Sequence, residues 1–115
     1  MNAEDLRKIC KRLPGVTEDI KWENHLCFCI AGKMFLVLGV DHTPVNSSFK
    51  VSDEEFEEMS QRDGFKPAPY MARHKWIFTD DISNLNKKEW ERYIKEAYEL
   101  IKSKLPAKTR KQLDS

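Results

Sequence analysis

His25, Cys27 and Cys29 alternate along one short stretch. On a β-strand side chains repeat every two residues, so all three would share one face. Imidazoles and thiolates are zinc ligands, but zinc gathers four of them around one point. Only His42 and His74 remain as further imidazoles, and neither belongs to a pair at ligand spacing. Alternate residues of a strand also lie about 6.6 Å apart. The row therefore reads as thiols acting as small apolar groups, and no metal or other cofactor is expected.

Nucleophilic chemistry has no better footing. There is no Gly-x-Ser-x-Gly elbow. Gly15, Gly32, Gly39 and Gly64 are isolated, so neither a P-loop nor a dinucleotide fingerprint can be built. The carboxylates Asp53-Glu54-Glu55 and Glu57-Glu58 fit the start of a capped helix, where negative charge complements the dipole. With no base beside an activated nucleophile, the chain is expected not to be an enzyme.

The segment Phe65 to Trp76 is unlike the rest. Pro67 and Pro69 stiffen it, and Pro69 biases Ala68 towards extended geometry. Lys66, Arg73, His74 and Lys75 stand between Tyr70 and Trp76 or beside them, a mixture able to stack a base or hold a phosphate. On composition alone the plainer reading is favoured, with Tyr70 and Trp76 as packing residues and Arg73, His74 and Lys75 as the exposed part. A second basic cluster comprises Lys102, Lys104, Lys108, Arg110 and Lys111, of which the first two suit a helix C-terminus.

The elements that must position these groups follow from periodicity. Leu6, Ile9, Cys10 and Leu13 mark one face of a helix capped by Asn2 and stopped by Pro14-Gly15. Val16 to Trp22 is expected to be extended. Leu26 to Ile30, Ala31-Gly32 and Met34 to Leu38 read as a hairpin, followed by a strand in which Phe49 and Val51 point one way. Ser52 with Glu55 predicts a capping box for a helix anchored by Phe56 and Met59 and ended by Gly64. Lys75 to Thr79 reads as a strand. Asn86 and Glu89 open a helix with the apolar stripe Trp90, Ile94, Ala97, Ile101 and Leu105, which Pro106 interrupts before a basic tail over 106–115.

The order predicts an α+β fold: a single domain over 1–115, with an antiparallel β-sheet flanked by N- and C-terminal helices on one face. Its 115 residues suffice for one core, and 40% apolar with 34% charged residues is an ordinary globular mixture. A net charge of +1 and a pI near 7.7 lie well below the basic balance of dedicated nucleic-acid modules. Three cysteines, with no basic n-region and apolar h-region at the start and no run long enough to span a bilayer, predict a cytoplasmic protein without a membrane partner.

Leu13-Pro14-Gly15-Val16, Gly32-Lys33-Met34-Phe35, Pro69-Tyr70-Met71 through Lys75-Trp76, and Tyr98-Glu99-Leu100 with Lys104-Leu105-Pro106 together resemble the MmcQ/YjbR family over nearly the whole chain. The resemblance implies a CyaY-like α+β architecture, and members of that family are commonly described as DNA-binding. The motif residues that carry over are Lys33, Tyr70, Arg73, Lys75 and Trp76. Where many members hold Asn-Lys-Lys-His before the Trp, this chain reads Met71-Ala72-Arg73-His74-Lys75, keeping the charge with different side chains. Iron handling, by analogy with the fold, would rest on Asp53 to Glu58.

The leading expectation is a non-enzymatic, nucleic-acid-binding or regulatory module. Lys33, Lys66, Arg73, His74 and Lys75 would meet phosphates of DNA in weak, salt-dependent binding. Tyr70 or Trp76 would stack, and Lys104, Lys108, Arg110 and Lys111 would add non-specific attraction. The alternative is a protein- or small-ligand-binding adaptor with the same loop as a pocket rim.

Overall fold

The structure, a computed structural model, describes residues 1–22 and 24–114. Helix α1 (Ala3–Lys11) begins at a complete capping box between Asn2 and Asp5 and buries Leu6, Ile9 and Cys10. Strands β1 (Val16–Lys21), β2 (His25–Ile30), β3 (Lys33–Gly39) and β4 (Asn46–Lys50) follow, then helix α2 (Asp53–Met59), β5 (Phe65–Pro67) and β6 (Trp76–Thr79). Helices α3 (Lys87–Lys102) and α4 (Ala107–Asp114) close the chain.

The strands form one antiparallel sheet in the order β1-β2-β3-β4-β6-β5. Ala31 and Gly32, both at positive φ, make the two-residue turn between β2 and β3, the backbone sign that matches strand twist. A bulge opposite Phe28 and Cys29 turns both Phe35 and Leu36 into the core.

Alternation then sorts the sheet into two faces. Phe28, Ile30, Leu36, Leu38, Phe49 and Ile77 join Leu6, Met59, Trp90 and Ile94 in a single apolar cluster, so α1, α2 and α3 cover one face. Phe49 meets the Trp90 ring edge-on at 5.3 Å, and Trp90 Nε1 donates to the Ile82 carbonyl at 2.7 Å. The other face carries His25, Cys27, Cys29, Val37, Ser48 and Phe78, and among the described residues none of α1, α2 and α3 packs on it.

The α+β order and the helix-backed antiparallel sheet agree with the sequence reading; several details do not. Ser52 accepts from the Glu55 N–H, but Glu55 does not return the bond. Its carboxylate is held instead by Arg92 of α3 at 2.9 Å. Helix α2 stops at Met59, five residues before Gly64, which serves the turn into β5 at φ +87°. Strand β5 was not expected, since three residues ending in proline show no period; it sits at the sheet edge, where proline is tolerated. Residues of the expected basic tail fold as α4, whose Leu113 packs on the core beside Gly15. Leu105 lies beyond the end of α3 yet is still buried.

Candidate functional site

The link between β5 and β6 crosses the open face of the sheet. Pro69 and Tyr70 form the centre of a turn closed by Met71 N–H on the Ala68 carbonyl at 3.1 Å. Tyr70 takes φ +65° at the position where turns of this kind want glycine. A 3-10 turn over Ala72–His74 follows, and Lys75 at φ +62° returns the chain to β6. The turn shields Trp76, which is 4% exposed, while Tyr70 is 99% exposed.

This separates two aromatics that the sequence treated alike. Trp76 packs as expected; Tyr70 does not, because its left-handed backbone lifts the ring off the sheet. Lys75 also departs from expectation: it is half-buried, with its ammonium 4.9 Å from the centre of the Phe56 ring. Arg73 and His74 are exposed, and Arg73 Nε donates to His74 Nε2 at 3.3 Å. Lys66 is exposed on β5, with its ammonium 5.2 Å from the centre of the Phe78 ring.

A cleft of about 490 Å³ lies between this turn and the β1–β2 turn, within the size range of small-molecule sites. Its floor is Met34, Val37, Ser48, Trp76 and Phe78; Trp22 and His25 wall it on one side, Pro69, Tyr70 and Met71 on the other. Trp22 is 64% exposed and also has positive φ, at +51°. Among the described residues, Trp22 and Tyr70 are the two aromatic side chains left exposed. The Trp22 and His25 rings meet edge-on at 5.9 Å, and His42 stacks obliquely behind His25 at 6.3 Å. His25 Nδ1 is buried and has no hydrogen-bond partner among the described residues. Such a group is costly to leave unpaired.

The basic residues named from sequence divide. Lys33, His74 and Lys104 meet at a second groove, of about 390 Å³, which Lys50 also lines. Lys50 is 7% exposed and its ammonium donates to the His74 carbonyl. Burial, with the neighbouring Lys104 ammonium, holds its pKa below the usual lysine range. Lys108, Arg110 and Lys111 stand exposed on α4 and do not line this groove.

His25, Cys27 and Cys29 do share a face, and all three cysteines are free and buried. Burial raises the pKa of each thiol, least suited to nucleophilic work. Among the described residues no three His, Cys, Asp or Glu side chains gather as a metal site. No helix among them is long and apolar enough to cross a membrane.

Sequence reasoning missed Trp22, Met34, Lys50 and Phe78. The signal for Lys50 was present: alternation places Asn46, Ser48 and Lys50 on one face of β4. Trp22 gave none beyond ending an extended run.

The family model YjbR matches residues 11–100. The crystal structure of a Deinococcus radiodurans protein with a DUF419 domain is 21% identical at TM-score 0.88, covering 98% of this chain and 88% of that one. A Pseudomonas syringae protein is 20% identical at TM-score 0.70, covering 87% of this chain and 98% of that one. At these identities the two structures speak for the fold. No curated protein matches the chain.

Proposed function

The chain belongs to the YjbR family, and from that premise we propose that it is a non-enzymatic binding module whose ligand site is the cleft on the open face of the sheet. The backbone of the two exposed aromatics carries this reading. A non-glycine residue in the left-handed region costs of order 1–3 kcal/mol. Trp22 and Tyr70 both sit there, and each holds a large ring in water at the rim of an apolar cleft. A fold under no demand at those positions would use Gly or Asn. Two rings raised from separate turns suit the capture of a planar group, and buried His25 Nδ1 offers it one polar partner.

Titration with adenosine, a neutral planar probe, tests this. Trp22 and Trp76 line the cleft while Trp90 is sealed behind the sheet, so tryptophan emission should change saturably. Shifts of amide resonances should gather on Trp22, His25, Met34, Met71 and Trp76. A folded protein that shows neither response to millimolar adenosine or indole overturns the reading.

Nucleic-acid binding is the second reading, favoured by the meeting of Lys33, His74 and Lys104 around Lys50. It requires salt dependence, with log K falling against log salt by about 0.9 per duplex phosphate neutralised. Absence of DNA binding by micromolar protein at about 50 mM salt counts against it. Three free, buried thiols support a reducing compartment, the cytoplasm.

A further inference from the structure

The apolar cleft and the basic groove are not separate features. Met34, Met71 and Trp76 line both, so the two lie side by side and share these three side chains. The groove side is also unusual in charge. Lys50 is buried, and Lys33 and Lys104 flank it. Among the described residues no carboxylate comes within ion-pair distance of these three ammonium groups. Asp53 is the acid that acts on Lys50, and it is outweighed by Lys104 and Lys75. A buried cation with no ion partner is costly, and an anion arriving in the groove would offset that cost.

The type of cation narrows the anion. Planar carboxylates are best met by the arginine fork, whereas lysines act as point charges that suit a compact, multiply charged group. Arg73, the nearest arginine in sequence, turns to His74 instead and does not line the groove.

Resting on the cleft as the ligand site, we infer that the ligand is a planar ring compound bearing a phosphate, the ring held at Trp22 and Tyr70 and the phosphate in the groove of Lys33, Lys50, His74 and Lys104. A mononucleotide has this chemistry, and so does one unit of a single strand. The occupant is the small molecule, because the cleft has room for one ring compound and Lys33, Lys50 and Lys104 gather at the groove beside it.

The test compares adenosine 5′-monophosphate with adenosine by calorimetry at about 50 mM salt. Charge-assisted contacts predict at least about tenfold tighter binding of the phosphate compound. Raising salt to about 200 mM should weaken the monophosphate and leave adenosine unchanged. The double substitution Lys33→Ala with Lys104→Ala, both at exposed positions, should abolish the preference without touching adenosine binding. Lys50→Met should do the same, and the double variant keeps the test open where loss of Lys50 impairs folding. Inorganic phosphate should compete with the monophosphate only.

Equal binding of the two compounds overturns the inference and leaves the cleft reading standing. Binding of neither overturns both. Binding of monophosphate and inorganic phosphate alike, with no response to adenosine, also overturns it, since the ring then contributes nothing. A dT decamer that binds no tighter than the monophosphate supports the small-molecule source. One that binds far more tightly, with the same lysine dependence, overturns that source in favour of a single strand.

Discussion

The Tyr98 hydroxyl donates to the Pro14 carbonyl at 2.6 Å, joining the last third of α3 to the turn that ends α1. Tyr98 is fully buried and meets the Phe35 ring edge-on at 5.8 Å. Two of the four short motifs that carry the family resemblance, one near each end of the chain, thus meet in a single bond. Tyr98→Phe should keep the ring packing, lose the bond and cost about 1–2 kcal/mol. A lowered urea midpoint with unchanged far-ultraviolet dichroism is the expected result, and an unchanged midpoint contradicts it.

Gly15, beside Pro14, has φ +77° and lies so close to Leu113 that a Cβ there would collide with it. Gly15→Ala therefore adds backbone strain to a shift of the Leu113 side chain, for a loss of about 1–3 kcal/mol. Leu113→Ala should loosen α4 with a smaller global effect, visible as faster amide exchange over 107–114. Equal exchange in both proteins would show that α4 does not depend on this contact.

What the sequence made legible was whatever is periodic and local. The stripes of Leu6, Ile9 and Cys10, and of Trp90, Ile94 and Ala97, announced helices, and the alternation from Leu26 to Ile30 announced the sheet. Strand β5 is too short to show a period, and α4 hides a docking residue, Leu113, among charges. The site was half legible. Lys33, His74 and Lys104 were named for their charge, but they meet only because three distant segments converge there. Nothing in the residue types distinguished Tyr70 from Trp76; backbone sign and the crossing of the open face did.

The hairpin turn offers a gain in stability. Ala31 is at φ +49° in a turn whose first position favours asparagine and whose second, Gly32, is already glycine. Ala31→Asn should raise stability by about 0.5–1 kcal/mol, read as a higher melting temperature. A decrease would mean that the alanine methyl has a role not visible in its exposed position.

Glu96 and Glu55 set a pH dependence. Burial raises the Glu96 pKa, helped by its hydrogen bond to Glu55, while Glu55 Oε2 is buried with no other donor among the described residues. A proton on Glu96 supplies that donor. Because the folded pKa is raised, this contribution is complete below the unfolded glutamate value and is lost as pH rises through the folded one. Glu18 runs the other way: its bond to Arg7 lowers its pKa, so its contribution is lost on acidification. Glu96→Gln should be more stable than the parent at pH 8, and the difference should shrink towards pH 4. A difference that is constant across that range rules out the shared proton.

Tyr70 and Trp22 separate stability from function most sharply. Tyr70 makes almost no packing contact, being 99% exposed, yet keeps a backbone conformation that glycine adopts freely. Tyr70→Gly should thus leave stability unchanged or raise it by up to about 1 kcal/mol. Trp22→Gly should behave similarly, apart from its edge contact with His25. Trp76→Ala, on the cleft floor and buried, should instead cost about 3–5 kcal/mol. If the cleft binds planar ligands, both glycine variants lose affinity while gaining or holding stability, the pattern expected where strain is kept for binding. Glycine variants that fold well and bind adenosine as tightly as the parent would leave the two strained aromatics without a purpose and remove the ground for placing the site here.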